Sequence, residues 1–288
     1  MSPSEADPAV PRHVLREIER GFLGESRAAA AVREQIADFL ARHGTEQPPP
    51  PILLRGEVAV GKSLLAQVIH RAGPRPYGPF VDAHLTAIPV SLLEDTLFGH
   101  VRGAFPGAGA GNTGLFQAAN GGTIFLDEIG MLSEEVQAKI LKVIEERSVR
   151  RLGSGLDEPV DVWIIAATSE DLRAMADHHR RYREAFNLHE PDLIENLYQQ
   201  LGQLDLRIPP LRQRPDDILL FAEHFLARAC AEYDLPPKSF AADARSAMLA
   251  YPWPGNVREV RHQMERMAIL FEENDVITAA MLSLRNWK

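Results

Sequence analysis

The stretch Gly56-Glu57-Val58-Ala59-Val60-Gly61-Lys62-Ser63 constrains this 288-residue chain more than any other. Two glycines separated by four residues and followed by Lys-Ser fit the G-x-x-x-x-G-K-[ST] pattern, which carries meaning when it lies between a strand and a helix. Both flanks are legible. The four prolines 48–51 cannot pair in a central strand, but they deliver the chain stiffly into the apolar run 52–54, a short strand, and a helix is predicted from Lys62. In that setting Gly56 and Gly61 let the backbone bend around phosphate oxygens, the N–H groups of Glu57, Val58, Ala59 and Val60 point inward, and the helix offers its positive end to an anion. Lys62 would reach the outer phosphates, and the Ser63 hydroxyl would hold magnesium. The expected ligand is a nucleoside triphosphate, ATP with Mg2+. The alternative is a glycine turn before an ordinary helix.

A loop of this kind needs a sheet behind it. Residues 80–82, 123–127, 162–168 and 204–208 read as buried strands of a mostly parallel sheet with helices between them, so the fold class is α/β. Residues 134–147 place Val136, Ile140, Val143 and Ile144 on one side and charges on the other, as a covering helix should. After Pro209 and Pro210 the pattern becomes helical at 216–233, 241–250 and 256–273 without intervening strands. Near the start, Pro3, Pro8 and Pro11 interrupt a polar segment, and Ser26 reads as the cap of a helix carrying Val32, Ile36 and Leu40. The expected organisation is a loose arm over 1–20, an α/β nucleotide-binding domain over 21–212, and a small all-helical domain over 213–288.

Composition excludes several other classes. A net charge of −9 disfavours unspecific binding of nucleic acid by the whole surface. The single cysteine, Cys230, excludes an intramolecular disulfide, and the opening residues lack the apolar core of a secretory signal. The longest apolar runs fall far short of a membrane span, so a cytoplasmic protein without a membrane partner is expected.

Within GGTIFLDEIG the apolar run ends in Asp127 and Glu128, which would emerge at the sheet edge where ligands of open α/β folds bind. Asp127 can hold magnesium through water, and Glu128 can polarise a water for attack on the terminal phosphate. Alone, such a pair is more often a solvated loop; with the glycine loop upstream the functional reading is preferred.

Five ordered segments, TLFGHVRGAFPGA, GLFQAANGGTIFLDEIG, QAKILKVIEERSVRRLG, PPLRQRPDDI and WPGNVREV, resemble the AAA+ domain of bacterial sigma-54-dependent transcription activators. The resemblance covers about residues 20–285 and implies a P-loop AAA+ domain with a helical lid. It also implies a ring, usually a hexamer, that hydrolyses ATP between subunits and remodels RNA polymerase holoenzyme through the loop Gly103-Ala104-Phe105-Pro106-Gly107-Ala108. Arg258 resembles the family's second sensor, touching nucleotide from the lid; Thr168 and Ser169 fall at the first sensor, where the family has Thr-Asn.

Departures from the family pattern separate binding from turnover. His84 stands where an asparagine usually restrains the catalytic glutamate, so a switch between Glu128 and His84 could be pH-sensitive; the alternative is a structurally satisfied histidine. Pro106 replaces the threonine that contacts sigma-54, removing a hydroxyl and an N–H, so weak or absent sigma-54 binding is expected, while Phe105 and the loop glycines could still grip some partner. The arginine-finger positions align with Ile194 and Gln200, and loss of such fingers should slow hydrolysis while sparing binding. Arg180, Arg181 or Arg183 could substitute in trans, although a solvated basic cluster is the preferred reading. A DNA-reading helix pair is not expected within the 288 residues. Two readings follow: an ATPase that regulates transcription by remodelling a partner, or a hydrolysis-impaired ATP-binding module in a homo- or hetero-oligomeric ring.

Overall fold

The computed structural model describes residues 10–44, 48–171, 174, 193–282 and 284. The chain forms two compact units, one of residues 1–21, 35–55 and 62–207 and the other of 22–34, 56–61 and 208–288. The elements begin with α1 (Arg12–Gly21), α2 (Arg27–His43), β1 (Ile52–Arg55), α3 (Lys62–Ala72), β2 (Phe80–His84) and α4 (Val90–Phe98). They continue with β3 (Gly99–His100), β4 (Asn112–Thr113), α5 (Leu115–Ala118), β5 (Thr123–Asp127), α6 (Glu134–Glu146), β6 (Ser148–Arg150) and β7 (Asp157–Pro159). Then come β8 (Trp163–Thr168), α7 (Leu193–Leu201) and β9 (Leu204–Arg207).

Five of these strands build one parallel sheet in the order β2-β5-β8-β1-β9. The central strands are apolar runs covered on both faces, with all six residues of β8 and Ile52, Leu53 and Leu54 of β1 buried, whereas the outer strands β2 and β9 each bury one residue, Ala83 and Leu206, short of the buried strands expected there. The covering helix α6 turns Val136, Ile140 and Val143 inward, and Glu134 and Glu135 in its first turn complement the helix dipole. The chain leaves β1 towards β2 at one edge, whereas β9 closes the other side. The carboxyl ends of β1 and β8 therefore flank a topological switch point, the usual ligand position in open α/β sheets.

The arm expected over 1–20 needs correction from Arg12 onward. Residues 12–21 form α1, which buries Val14 and Ile18 and packs on α3; Gly21 approaches the Val68 side chain so closely that an added Cβ would force that side chain to shift. Pro11 starts the helix rather than breaking it, since its carbonyl accepts from Val14 N–H and the apolar pair sits at i, i+4. Two small antiparallel pairs, β3 with β4 and β6 with β7, were also not read from sequence.

The second unit contains α8 (Pro215–Glu232), α9 (Ala242–Ala250) and α10 (Asn256–Leu270). Its core joins Leu211, Phe221, Leu226, Met248, Trp253 and Met264. Pro215 opens α8 with Asp216 and Asp217 in the first turn. Ser26 caps α2 as expected, its Oγ accepting from Ala29 N–H at 3.1 Å. The same hydroxyl donates to buried Asp217 at 2.8 Å, and Asp217 also accepts the N–H groups of Glu25 and Ser26. A parallel pair of β10 (Ser239–Phe240) and β11 (Val276–Ile277) adds a two-residue ladder to an otherwise helical unit. Among the described residues no helix is long and apolar enough to cross a membrane.

Candidate nucleotide site

In the sheet unit, Lys62 opens α3 and is buried although it carries an ammonium group. Its Nζ donates to Glu128 Oε1 at 3.1 Å. The other oxygen, Oε2, accepts Ser169 N–H at 2.8 Å and Ser169 Oγ–H at 2.7 Å. Burial raises the Glu128 pKa, but the Ser169 donors and Lys62 together outweigh it and hold the carboxyl below its usual range. Glu128 sits just past β5 in the left-handed region, φ 62° and ψ 49°, a conformation that costs a non-glycine residue about 1 kcal/mol or more and is characteristic of functional turns.

Asp127, one residue earlier, presents a different environment. Its Oδ1 is buried without a hydrogen-bond partner among the described residues. Its Oδ2 lies 3.5 Å from His84 Nδ1, while His84 Nε2 lies 3.5 Å from Asp82 Oδ2. The parallel register that sets His84 opposite Asp127 explains the contact, because β2 extends to residue 84 rather than ending at 82. Burial pushes the Asp82 carboxyl up, and nearby Asp127 adds to this while His84 opposes it. No hydrogen bond or ion pair joins His84 to Glu128 among the described residues; Ser169 occupies Glu128 instead. An unpartnered buried carboxylate oxygen is a hard donor of the kind magnesium takes, and Ser63, the second residue of α3, offers a hydroxyl oxygen, so this donor set fits the ion.

The glycine loop up to Gly61 belongs to the second unit. A Cβ on Gly56 would lie 2.6 Å from Ile208 O, so the close approach of two backbones requires glycine there. Ala59 adopts φ 64°. Val58 and Ala59 line a cavity of about 1000 Å³ together with Tyr251, Arg258, His262 and Arg266. Arg258 lies on the wall of this cavity, within the second unit. Two residues that sequence reasoning passed over also hold the loop: Asn256 donates to Glu57 and Val58, and Arg212 forms a double hydrogen bond with Glu57. Both lie inside segments quoted for the resemblance, but their partners Glu57 and Val58 are remote in sequence, so no local signal marked them.

The loop 101–111 leaves the β3–β4 pair of the sheet unit. Ala108 N–H donates to Phe105 O at 3.0 Å, enclosing Pro106 and Gly107, whose φ is 101°. Proline at the second position and a positive-φ glycine at the third are the signature of a type II turn, so Pro106 fits the tip it occupies. Phe105 is 42% exposed and its ring lies 5.0 Å from that of His100. At the stem, the two His100 nitrogens face Asp95 Oδ1 at 2.5 Å and Ala110 O at 2.8 Å. Gln200 lines a cavity of about 210 Å³ with Pro48–Pro51, Val143 and Ile144. The Ile194 side chain and Arg180, Arg181 and Arg183 lie outside the described residues.

Comparison with known proteins decides what this combination represents. Residues 22–190 match the model described as the Sigma-54 interaction domain, and residues 212–286 match the AAA+ ATPase lid domain. The chain belongs to the sigma-54 interaction domain family. Its similar relatives include the C4-dicarboxylate transport transcriptional regulatory protein DctD of Pseudomonas aeruginosa, 40% identical over 88% of this chain and 51% of that protein. The hydrogenase transcriptional regulatory protein HoxA of Cupriavidus necator is 43% identical over 81% of this chain and 46% of its own length. Among solved structures, NtrX from Brucella abortus in complex with ADP has a TM-score of 0.75 and 29% identity, covering 90% of this chain and 54% of that one. This sigma-54 interaction domain protein spans about half the length of the curated relatives it matches.

Proposed function

We propose that this chain binds ATP with Mg2+ and couples nucleotide state to a protein partner in transcription regulation. The observation that carries the reading is the Lys62–Glu128–Ser169 cluster at the end of a parallel sheet, one residue from the unpartnered oxygen of Asp127. Glu128 is the general base that orients the attacking water, and Lys62 directs its charge at the outer phosphates. Magnesium, held by Ser63 and Asp127, would supply charge neutralisation at the phosphate oxygens. The resemblance gives Arg258 the role of second sensor, and Arg258 lines a cavity within the second unit. The structures of NtrX with ADP and with ATP support a nucleotide ligand here, and the transcription-regulator relatives support the setting. The loop 103–108 would present Phe105 to an RNA polymerase sigma factor or another regulatory protein, and the module would work in a homo- or hetero-oligomeric ring.

One observation favours a hydrolysis-restrained form. Both oxygens of Glu128 are occupied by donors, and a carboxylate held below its usual pKa is a weak base until those donors withdraw. The positions that the resemblance assigns to arginine fingers hold Ile194 and Gln200, which carry no charge. ATP binding would then persist while turnover waits for a neighbouring subunit. ATP turnover measured against protein concentration, with and without Glu128→Gln, and sizing with and without nucleotide, test both forms. Steep concentration dependence lost in Glu128→Gln supports a self-sufficient ring. Binding with negligible turnover at every concentration supports the restrained form, and absence of ATP binding overturns both.

A further inference from the structure

We propose that Asn256 is a positioning residue that shapes the phosphate loop from the lid, orienting its N–H groups for an anion. This rests on the nucleotide-binding reading above, but its evidence is separate. The G-x-x-x-x-G pattern leaves residues 57–60 unspecified, and in this chain the lid specifies them. Asn256 Nδ2 donates to Val58 O and to Glu57 Oε2, each at 3.1 Å, while its Oδ1 accepts Leu211 N–H at 2.8 Å. Val257 N–H donates to Ala59 O at 3.1 Å, and buried Arg214 places Nη2 3.4 Å from Val60 O. Arg212 grips the Glu57 carboxylate at 2.9 and 2.5 Å.

Three successive loop carbonyls, those of Val58, Ala59 and Val60, are thus taken by lid donors. In a planar trans peptide the N–H points opposite to the carbonyl of the same unit. Fixing those carbonyls turns the N–H groups of Ala59, Val60 and Gly61 away from the lid donors, the disposition that an anion-binding loop requires. Ala59 at φ 64° shows that the loop shape is imposed rather than intrinsic to its residues. Asn256 is fully buried at φ 48°, where asparagine is among the few tolerated non-glycine residues, and its amide supplies donor and acceptor at one point. Both its donor and its acceptor groups are engaged.

Asn256→Asp tests this with nearly unchanged shape, since an acceptor replaces the donor that faces Val58 O and the Glu57 carboxylate. ATP affinity, read by calorimetry, should fall about tenfold or more, as expected when a buried donor is lost and two acceptors are opposed. Adding Glu57→Gln, whose amide can donate to the new carboxylate, should recover at least about threefold of that loss. A general loss of folding would gain nothing from a change at half-exposed Glu57. In the ligand-free protein, hydrogen exchange of the Val257 amide should accelerate in Asn256→Asp, while the Met264 and Met267 amides of the buried face of α10 keep their protection. Wild-type protein that binds no ATP would remove the nucleotide reading and leave the exchange result to decide the bracing. Unchanged ATP affinity in Asn256→Asp, no recovery with Glu57→Gln, or unchanged Val257 exchange would each overturn the proposal.

Discussion

The end of β5 and the loop 101–111 belong to the same unit and are built on opposite terms. At the strand end, Glu128 is fixed by Lys62 and by both donors of Ser169, just past β5, whose residues 123–126 are buried. The loop is held at its stem by β3–β4 pairing and His100, but a Cβ built at Gly103, Gly107 or Gly109 meets nothing within 4 Å. The two regions divide the labour. The groups proposed to meet a phosphate stand at the end of a well-packed strand and the start of the helix beside it. The segment that would meet a protein partner is made of small residues and carries one half-exposed aromatic ring at its turn.

Glu128→Gln should break the strand-end half most severely. Turnover by an assembled, active sample is expected to fall by about 100-fold or more because the amide cannot act as a base, while ATP affinity changes by less than about threefold. Equal losses in binding and turnover would move Glu128 from chemistry to structure.

Gly99→Ala probes the loop stem by stability. Gly99 has φ 71°, and an added Cβ would lie 2.5 Å from Asn112 O and 2.6 Å from Gly114 N, all backbone atoms that cannot swing aside. Destabilisation of about 2–4 kcal/mol is expected in denaturant unfolding. A cost below about 1 kcal/mol would show that the β3–β4 stem yields as readily as its tip.

Ser169→Ala sharpens the account of how Glu128 is held. Removing the hydroxyl donor destabilises the carboxylate, so the Glu128 pKa rises. Because the base must be ionised, the acidic limb of the turnover profile moves to higher pH, and turnover above that limb is retained or increased if Ser169 restrains the base. With Glu128 depressed below its ordinary value, its contribution is present above the unfolded pKa and is lost as pH falls through the folded one, and Ser169→Ala should reduce that loss. A turnover profile that does not move would remove Ser169 from the control of Glu128.

Much of the strand-end region was legible because its signals are local. A glycine pattern between a strand and a helix places Lys62 and Ser63, and an apolar run ending in Asp127-Glu128 places the acids. What sequence could not give was which partner each side chain takes. His84 lies opposite Asp127 because β2 runs two residues further than its apolar pattern, and register is a property of two strands. The α1 helix was missed because three prolines outweighed the spacing of Val14 and Ile18, although Pro11 stands where a helix tolerates it. Asn256 was passed over because its role depends on Glu57, Val58 and Leu211, which are remote in sequence.

Gly109→Ala carries the smallest expected effect and completes the comparison with Gly99. Gly109 is absent from the positive-φ glycines, and a Cβ there meets open space. Alanine restricts the unfolded chain without straining the folded one, so the change should be neutral or stabilising within about 1 kcal/mol. Measured beside Gly99→Ala under the same denaturant conditions, it isolates the conformation of the stem from the composition of the loop. A destabilisation matching that of Gly99→Ala would mean that the tip is packed against a surface, and the contrast between a braced strand end and an unbraced loop would fail.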